Sequence, residues 1–124
     1  MHRIFVYGSL MRGQANQEFL SKSRLIGAVK TLPRYTLVDL GPYPALLEGG
    51  ATAVLGEVYE VDVATLRKLD QLEEHPHVYE RRPVILESSE PAEAYVLHPH
   101  LRRGAPEIAS GNWANLGVKG SRRS

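Results

Sequence analysis

Val54-Leu55-Gly56-Glu57-Val58-Tyr59-Glu60-Val61 runs straight into Asp62-Val63-Ala64-Thr65-Leu66-Arg67-Lys68-Leu69-Asp70-Gln71-Leu72-Glu73-Glu74-His75-Pro76. The first half nearly alternates, which is the period of a strand. Thr52, Val54, Gly56, Val58 and Glu60 would share one face; Leu55, Glu57, Tyr59 and Val61 would share the other. The second half changes period: Leu66, Leu69 and Leu72 recur at helical spacing. Asp62 suits the N-cap, because its carboxylate can accept an N–H of the first turn. Pro76 is expected to stop the helix near His75, since the residue before a proline avoids the α region.

Outward from this strand–helix unit the chain reads as short strands between breakers. Ile4-Phe5-Val6-Tyr7 is β-branched and aromatic, and Gly8 ends it. Gln14 to Leu20 suits one or two helical turns with Phe19 and Leu20 facing inward. Arg24 to Leu32, interrupted by Gly27, and Tyr35 to Asp39 read as further strands. Gly41-Pro42-Tyr43-Pro44 excludes regular structure, and Ala45-Leu46-Leu47 is a brief apolar run. Tyr79 to Leu86 and Glu93 to His98 read as two more strands, and after Pro99 the pattern becomes irregular. Six or seven strands around one helix imply an α+β fold, with the sheet curled or closed. One domain is expected over residues 1–118, followed by a basic, flexible tail over 119–124.

Composition narrows the chemistry. The 124 residues carry 15 Lys and Arg against 14 Asp and Glu, and no cysteine. A net charge of +1 argues against a nucleic-acid binder working through the Gly8 turn and Arg122-Arg123. Without cysteine there is no thiolate metal site and no cysteine nucleophile. No apolar run reaches the roughly 20 residues of a membrane helix or the about 7 to 15 of a leader. A cytoplasmic protein is therefore expected, with no membrane partner.

Two places invite chemistry. Tyr7-Gly8-Ser9-Leu10-Met11-Arg12-Gly13 follows a buried strand, where a glycine lets backbone N–H groups close on a carboxylate or phosphate. The same residues also suit an ordinary strand-ending turn. The second place is the end of the helix. At about 100° per residue, Leu69, Leu72 and Glu73 fall roughly 300°, 240° and 340° from Leu66, which puts Glu73 inside the apolar stripe. Glu74, at roughly 80°, falls outside it. Burial, the negative end of the helix dipole and the nearby Asp70 would all raise the Glu73 pKa toward the range of a general acid or base. The structural alternatives are pairing of Glu73 with Arg81 or Arg82 and a side chain looking out at a frayed helix end. His75-Pro76-His77 and His98-Pro99-His100 have metal-like spacing, but no further ligand cluster accompanies them, so solvated loop histidines are expected. Ser9 lacks the G-x-S-x-G elbow of a serine hydrolase. Tyr43, in the proline-rich loop, suits a pocket wall.

Taken together, the motifs resemble the gamma-glutamylcyclotransferase-like family. Tyr7-Gly8-Ser9-Leu10 through Gly13 is similar to its opening Y-G-[ST]-L-x-x-G. Gly56 to Val61, Leu69-Asp70-Gln71-Leu72-Glu73, Tyr79-Glu80-Arg81 and Gly111-Asn112-Trp113 follow in the family's order. The resemblance spans roughly residues 3 to 116 and is nearest to gamma-glutamylamine cyclotransferase and small bacterial members. It implies a small mixed barrel with flanking helices. It implies cyclisation of a γ-glutamyl group to 5-oxoproline with release of the amine, by a monomer or homodimer using no cofactor and no metal. Carried over by motif, Tyr7, Gly8, Ser9 and Leu10 hold the γ-glutamyl moiety and Glu73 is the acid/base; Tyr43, Tyr79 and Arg81 are expected to line the pocket. A silent binding module for γ-glutamyl or other small carboxylate ligands is the alternative. Two departures stand beside the resemblance: Glu74 takes the acid/base role if the helix ends early, and the segment from His98 to Arg103 matches no family pattern, which leaves contacts to the leaving group undefined.

Overall fold

A computed structural model describes residues 1–11, 13–14 and 16–113. The tail expected over 119–124, and Arg12 of the opening motif, lie outside the described residues. The strands are β1 (His2–Val6), β2 (Arg24–Lys30), β3 (Tyr35–Asp39), β4 (Pro44–Glu48), β5 (Leu55–Val61), β6 (Tyr79–Ile85) and β7 (Pro91–Leu97). Helix α1 (Val63–Leu72) lies between β5 and β6, and single 3-10 turns occupy Gln17–Leu20 and Pro99–Leu101. The proline-rich loop expected before Ala45 ends one residue early, because Pro44 opens β4; a first strand residue tolerates the missing N–H.

All seven strands join one mixed sheet in the order β2-β5-β1-β7-β4-β3, with β6 also on β7. Strand β7 organises it. Its antiparallel ladder with β6 runs from Tyr79↔Leu97 to Ile85↔Pro91 and occupies one edge. The opposite edge is divided: β1 pairs parallel to it at Ile4↔Glu93 and β4 at Leu46↔Val96. Tyr7, the residue after β1, fills the junction. Its hydroxyl accepts the Leu46 N–H at 3.1 Å and donates to the Tyr95 carbonyl at 2.7 Å. A side chain thus completes a ladder that the departing strand leaves open.

The sheet curls, but it is not a closed barrel. The ends of β2 and β6 meet at one isolated bridge, Thr31↔Leu86, where Leu32 N–H donates to Ile85 O and Glu87 N–H to Lys30 O, at 2.9 and 2.8 Å. The ladder stops there for a local reason. Pro33 follows on one side, and on the other the two-residue period puts Pro83 on the same edge as Ile85. Neither proline has an N–H to donate.

Both faces of the central strands are buried, which explains the unbroken apolar run of β1. Ile4, Val6, Tyr59 and Val61 pack with Leu20, Leu66 and Leu69 under α1. Phe5, Tyr7, Val54 and Val58 pack on the other face with Ile108 and Trp113. The segment after Pro99, irregular as expected, nevertheless closes this second core, bridging to β3 at Val38↔Glu107. Gly56 sits where the sheet is tightest: a Cβ there would collide with the Val6 carbonyl and lie 2.7 Å from the Phe5 ring. Of the pair expected to face inward near residue 20, Leu20 is buried and Phe19 is 37% exposed.

Helix α1 starts as expected, with Asp62 Oδ1 accepting the Thr65 N–H at 2.8 Å. It ends three residues earlier than the proline rule suggests, at Leu72 rather than near His75. Glu73 is the C-cap and Glu74 takes a left-handed φ of 53°, so the chain turns before it meets the cis His75–Pro76 bond.

Candidate active site

A cavity of about 470 Å³ opens where the sheet divides. The loop after β1 supplies Tyr7, Gly8, Ser9 and Leu10; the entry to β4 supplies Tyr43 and Pro44. The end of α1 supplies Leu72, Glu73 and Glu74, β6 supplies Tyr79, and β7 supplies Tyr95 and Leu97. Two residues come from the segment that matches no motif, Leu101 and Arg103. The fold therefore brings together every singled-out site residue except one. Arg81, expected as lining, does not reach the cavity. Its guanidinium grips Asp70 at 3.2 and 3.4 Å and Glu93 at 3.3 Å, and its backbone N–H donates to His75 Nδ1 at 3.0 Å. Arg82 is engaged by Glu48 at 3.0 Å and Glu80 at 3.7 Å. Neither arginine pairs with Glu73, so that alternative falls.

The loop after β1 is a tight turn, with the Met11 N–H on the Gly8 carbonyl at 3.0 Å. Gly8 is required by contact: a Cβ would stand 2.7 Å from Cγ of Pro44. Asn16, which also lines the cavity, pins the turn, its N–H on Ser9 O at 2.7 Å and its Nδ2 on Ser9 Oγ at 2.9 Å. No described residue accepts a hydrogen bond from the N–H groups of Gly8, Ser9 and Leu10. Three successive free donors beside a cavity are a cradle for an anionic group. No histidine lines the cavity among the described residues, so Ser9 has no triad histidine there.

Glu73 is held by backbone on both sides, its N–H on Leu69 O at 2.9 Å and its C=O accepting the Tyr79 N–H at 3.3 Å. Its side chain keeps partial access through the cavity, while the surrounding protein strips most of its water. Burial pushes its carboxyl up to about 7. Burial is the cause of that shift, and the expected help from Asp70 does not enter it. Asp70 is neutralised by Arg81 and accepts the Tyr95 hydroxyl at 2.6 Å. The last-turn carbonyls of Leu69, Asp70 and Gln71 all accept N–H groups of the cap.

Around Glu73 stand tyrosines that stay protonated. Burial, then Tyr79 and Glu73, holds the Tyr7 hydroxyl well above its ordinary range. Burial, then Glu73 and Tyr43, does the same for Tyr79, whose hydroxyl donates to Pro44 O at 3.1 Å. Burial, then the hydrogen bond to Asp70, raises Tyr95. The site is one carboxyl poised near neutrality among neutral hydroxyls, lining the same cavity as the Gly8 loop. Such an arrangement can orient a carboxylate-bearing substrate and move a proton on it.

The histidine pairs play other parts. His98 Nε2 lies 2.6 Å from Pro76 O, and its ring stacks on His100 with centroids 6.0 Å apart. No group of three metal-ligating side chains occurs among the described residues. Sequence reasoning missed Asn16, which carries no motif, and Arg103, whose neighbour Gly104 marks only a turn.

The chain is 44% identical over 112 residues to a Vibrio cholerae protein named "Putative gamma-glutamylcyclotransferase", covering 90% of this chain and 95% of that one. The crystal structure of an AIG2-like protein from Mus musculus superposes with a TM-score of 0.73 at 32% identity, covering 89% and 87% of the two chains. The solution structure of Escherichia coli ytfP does so at 0.71 and 37%, covering 93% and 98%. The family model described as gamma-glutamyl cyclotransferase, AIG2-like, matches residues 4–115, a span that holds the Gly8 loop, Glu73 and both cores. By sequence and by fold, this chain belongs to the gamma-glutamyl cyclotransferase, AIG2-like family.

Proposed function

We propose that the cavity takes a γ-glutamyl group and cyclises it to 5-oxoproline, releasing the amine. The observation that carries this reading is Glu73: a carboxyl raised to about 7 by burial, lining the same cavity as the free N–H groups of Gly8, Ser9 and Leu10. The cradle binds the α-carboxylate and leaves the adjacent α-amine facing Glu73. As carboxylate, Glu73 takes a proton from the α-ammonium. The freed amine attacks the γ-carbonyl carbon, and a C–N bond forms as the carbonyl electrons move onto oxygen. Glu73 then returns its proton to the leaving nitrogen, the electrons fall back from oxygen, and the old C–N bond breaks. A second proton follows the same route, so two protons leave one nitrogen and two reach the other. A pKa near the working pH suits one group to both transfers.

The nucleophile is the substrate's own amine, so the protein's contribution is to fold the γ-glutamyl arm until amine and carbonyl meet. The tyrosine-lined walls and the apolar Leu10, Leu72 and Leu97 suit a short aliphatic arm. The reading includes a cytoplasmic monomer or homodimer of one domain over residues 1–118.

The test is release of 5-oxoproline from γ-glutamyl amines, γ-glutamyl amino acids and glutathione. Glu73→Gln should keep the fold and lose about 100-fold or more of kcat/KM, the scale of a general acid/base. Full activity in that variant would move the role to another group, with Glu74 next. Saturable binding of γ-glutamyl compounds without turnover in the wild type would make the protein a binding module instead.

A further inference from the structure

We infer that Arg103 selects the leaving group: it binds a carboxylate on the departing amine, so that γ-glutamyl compounds of amines bearing an adjacent carboxylate are preferred over neutral ones. This rests on the cyclotransferase reading of the cavity and deepens it. Three observations carry it.

The first is charge. Arg103 is the single basic residue lining the cavity among the described residues. The other arginines near the site are engaged, Arg81 by Asp70 and Glu93 and Arg82 by Glu48 and Glu80. Arg103 has no carboxylate partner among the described residues.

The second is backbone. Arg103 and Gly104 are the central residues of a turn closed by the Ala105 N–H on Arg102 O at 3.0 Å, with φ of 49° and 76°. Positive φ at both positions is the pattern of a type I′ turn, which favours Asn or Gly at the first of them. An arginine held in this conformation is unfavourable, and such residues cluster at ligand clamps. The neighbouring Arg102 braces the turn, its Nε on Ala105 O at 3.2 Å.

The third is depth. Gly8 and Leu10 are buried, Glu73 is partly accessible, and Arg103 is exposed. An α-carboxylate seated on the buried loop puts the γ-carbonyl beyond Glu73. Whatever is attached to that carbonyl then projects toward the mouth, where a guanidinium is available for a bidentate contact.

The experiment compares γ-glutamylglycine with γ-glutamylglycinamide, which differ only in the leaving-group carboxylate. Wild-type protein should favour γ-glutamylglycine. In Arg103→Gln, kcat/KM for γ-glutamylglycine should fall about 10- to 100-fold, the scale of a charge-assisted hydrogen bond, with γ-glutamylglycinamide unchanged. Arg103→Lys should recover part of the loss. Equal losses on both substrates would assign Arg103 to the α-carboxylate and overturn the inference, as would no loss on either. Both of those outcomes leave the cyclotransferase reading standing. Absence of 5-oxoproline from both substrates in the wild type would overturn that reading and this inference with it.

Discussion

At the scale of a single residue, Glu73 joins stability to chemistry. Its folded-state pKa of about 7 lies above the ordinary 4.5. A carboxyl raised on folding binds its proton more tightly in the folded state, so stability falls as pH rises from 4.5 through 7. Above that window the buried charge is a standing destabilisation, on the order of 1–3 kcal/mol. Glu73→Gln should therefore be more stable than wild type at pH 8 by about that amount, with the difference shrinking toward pH 5. Thermal melts of both proteins across that range measure it, and parallel curves would mean that burial does not perturb Glu73. The same residue shows what sequence could and could not yield. Its place in the apolar stripe was legible, because helical geometry is local. The absence of an Asp70 effect was not, because Arg81 and Tyr95 reach Asp70 from β6 and β7.

Among elements, strand β5 and helix α1 followed their patterns closely, since period and capping are local properties. Their ends did not. Proline sets an outer limit to a helix, while the actual stop came from the Glu73 cap and the left-handed Glu74. Within β5, Gly56 looks like a weakening residue in an otherwise good strand, and only the approach of β1 explains it. Gly56→Ala would force a methyl into the Val6 carbonyl and the Phe5 ring. Neither can move without disturbing the ladder, so a loss of at least about 2–3 kcal/mol is expected. Urea denaturation would read it, and a change within a few tenths of a kcal/mol, the scale of a solvent-exposed site, would show that β1 and β5 have slack.

In the whole molecule, the site exists because β7 has two neighbours on one edge. Where β1 leaves and β4 begins, the sheet opens, and the cavity forms beside Tyr7. That residue was read as part of a ligand loop, yet its hydroxyl also ties β4 to β7. Tyr7→Phe should leave two buried backbone groups unpaired and lower stability by about 2–4 kcal/mol. Amide exchange should show the loss as faster opening at Leu46. Unchanged exchange there would mean that another group takes over the junction.

From sequence alone came whatever depends on near neighbours: the strand pattern, the capped helix, the glycine turn, and a carboxylate where a leucine would fit. The ordered motifs also pointed to the family. Tertiary structure decided the rest. It placed the Gly8 loop and Glu73 on one cavity, removed Arg81 from it, brought Arg103 to its mouth, and stopped the barrel short of closure at Pro33 and Pro83. Those outcomes depend on contacts between residues far apart in the chain. Periodicity records which face of an element is apolar, but not which other element will cover it.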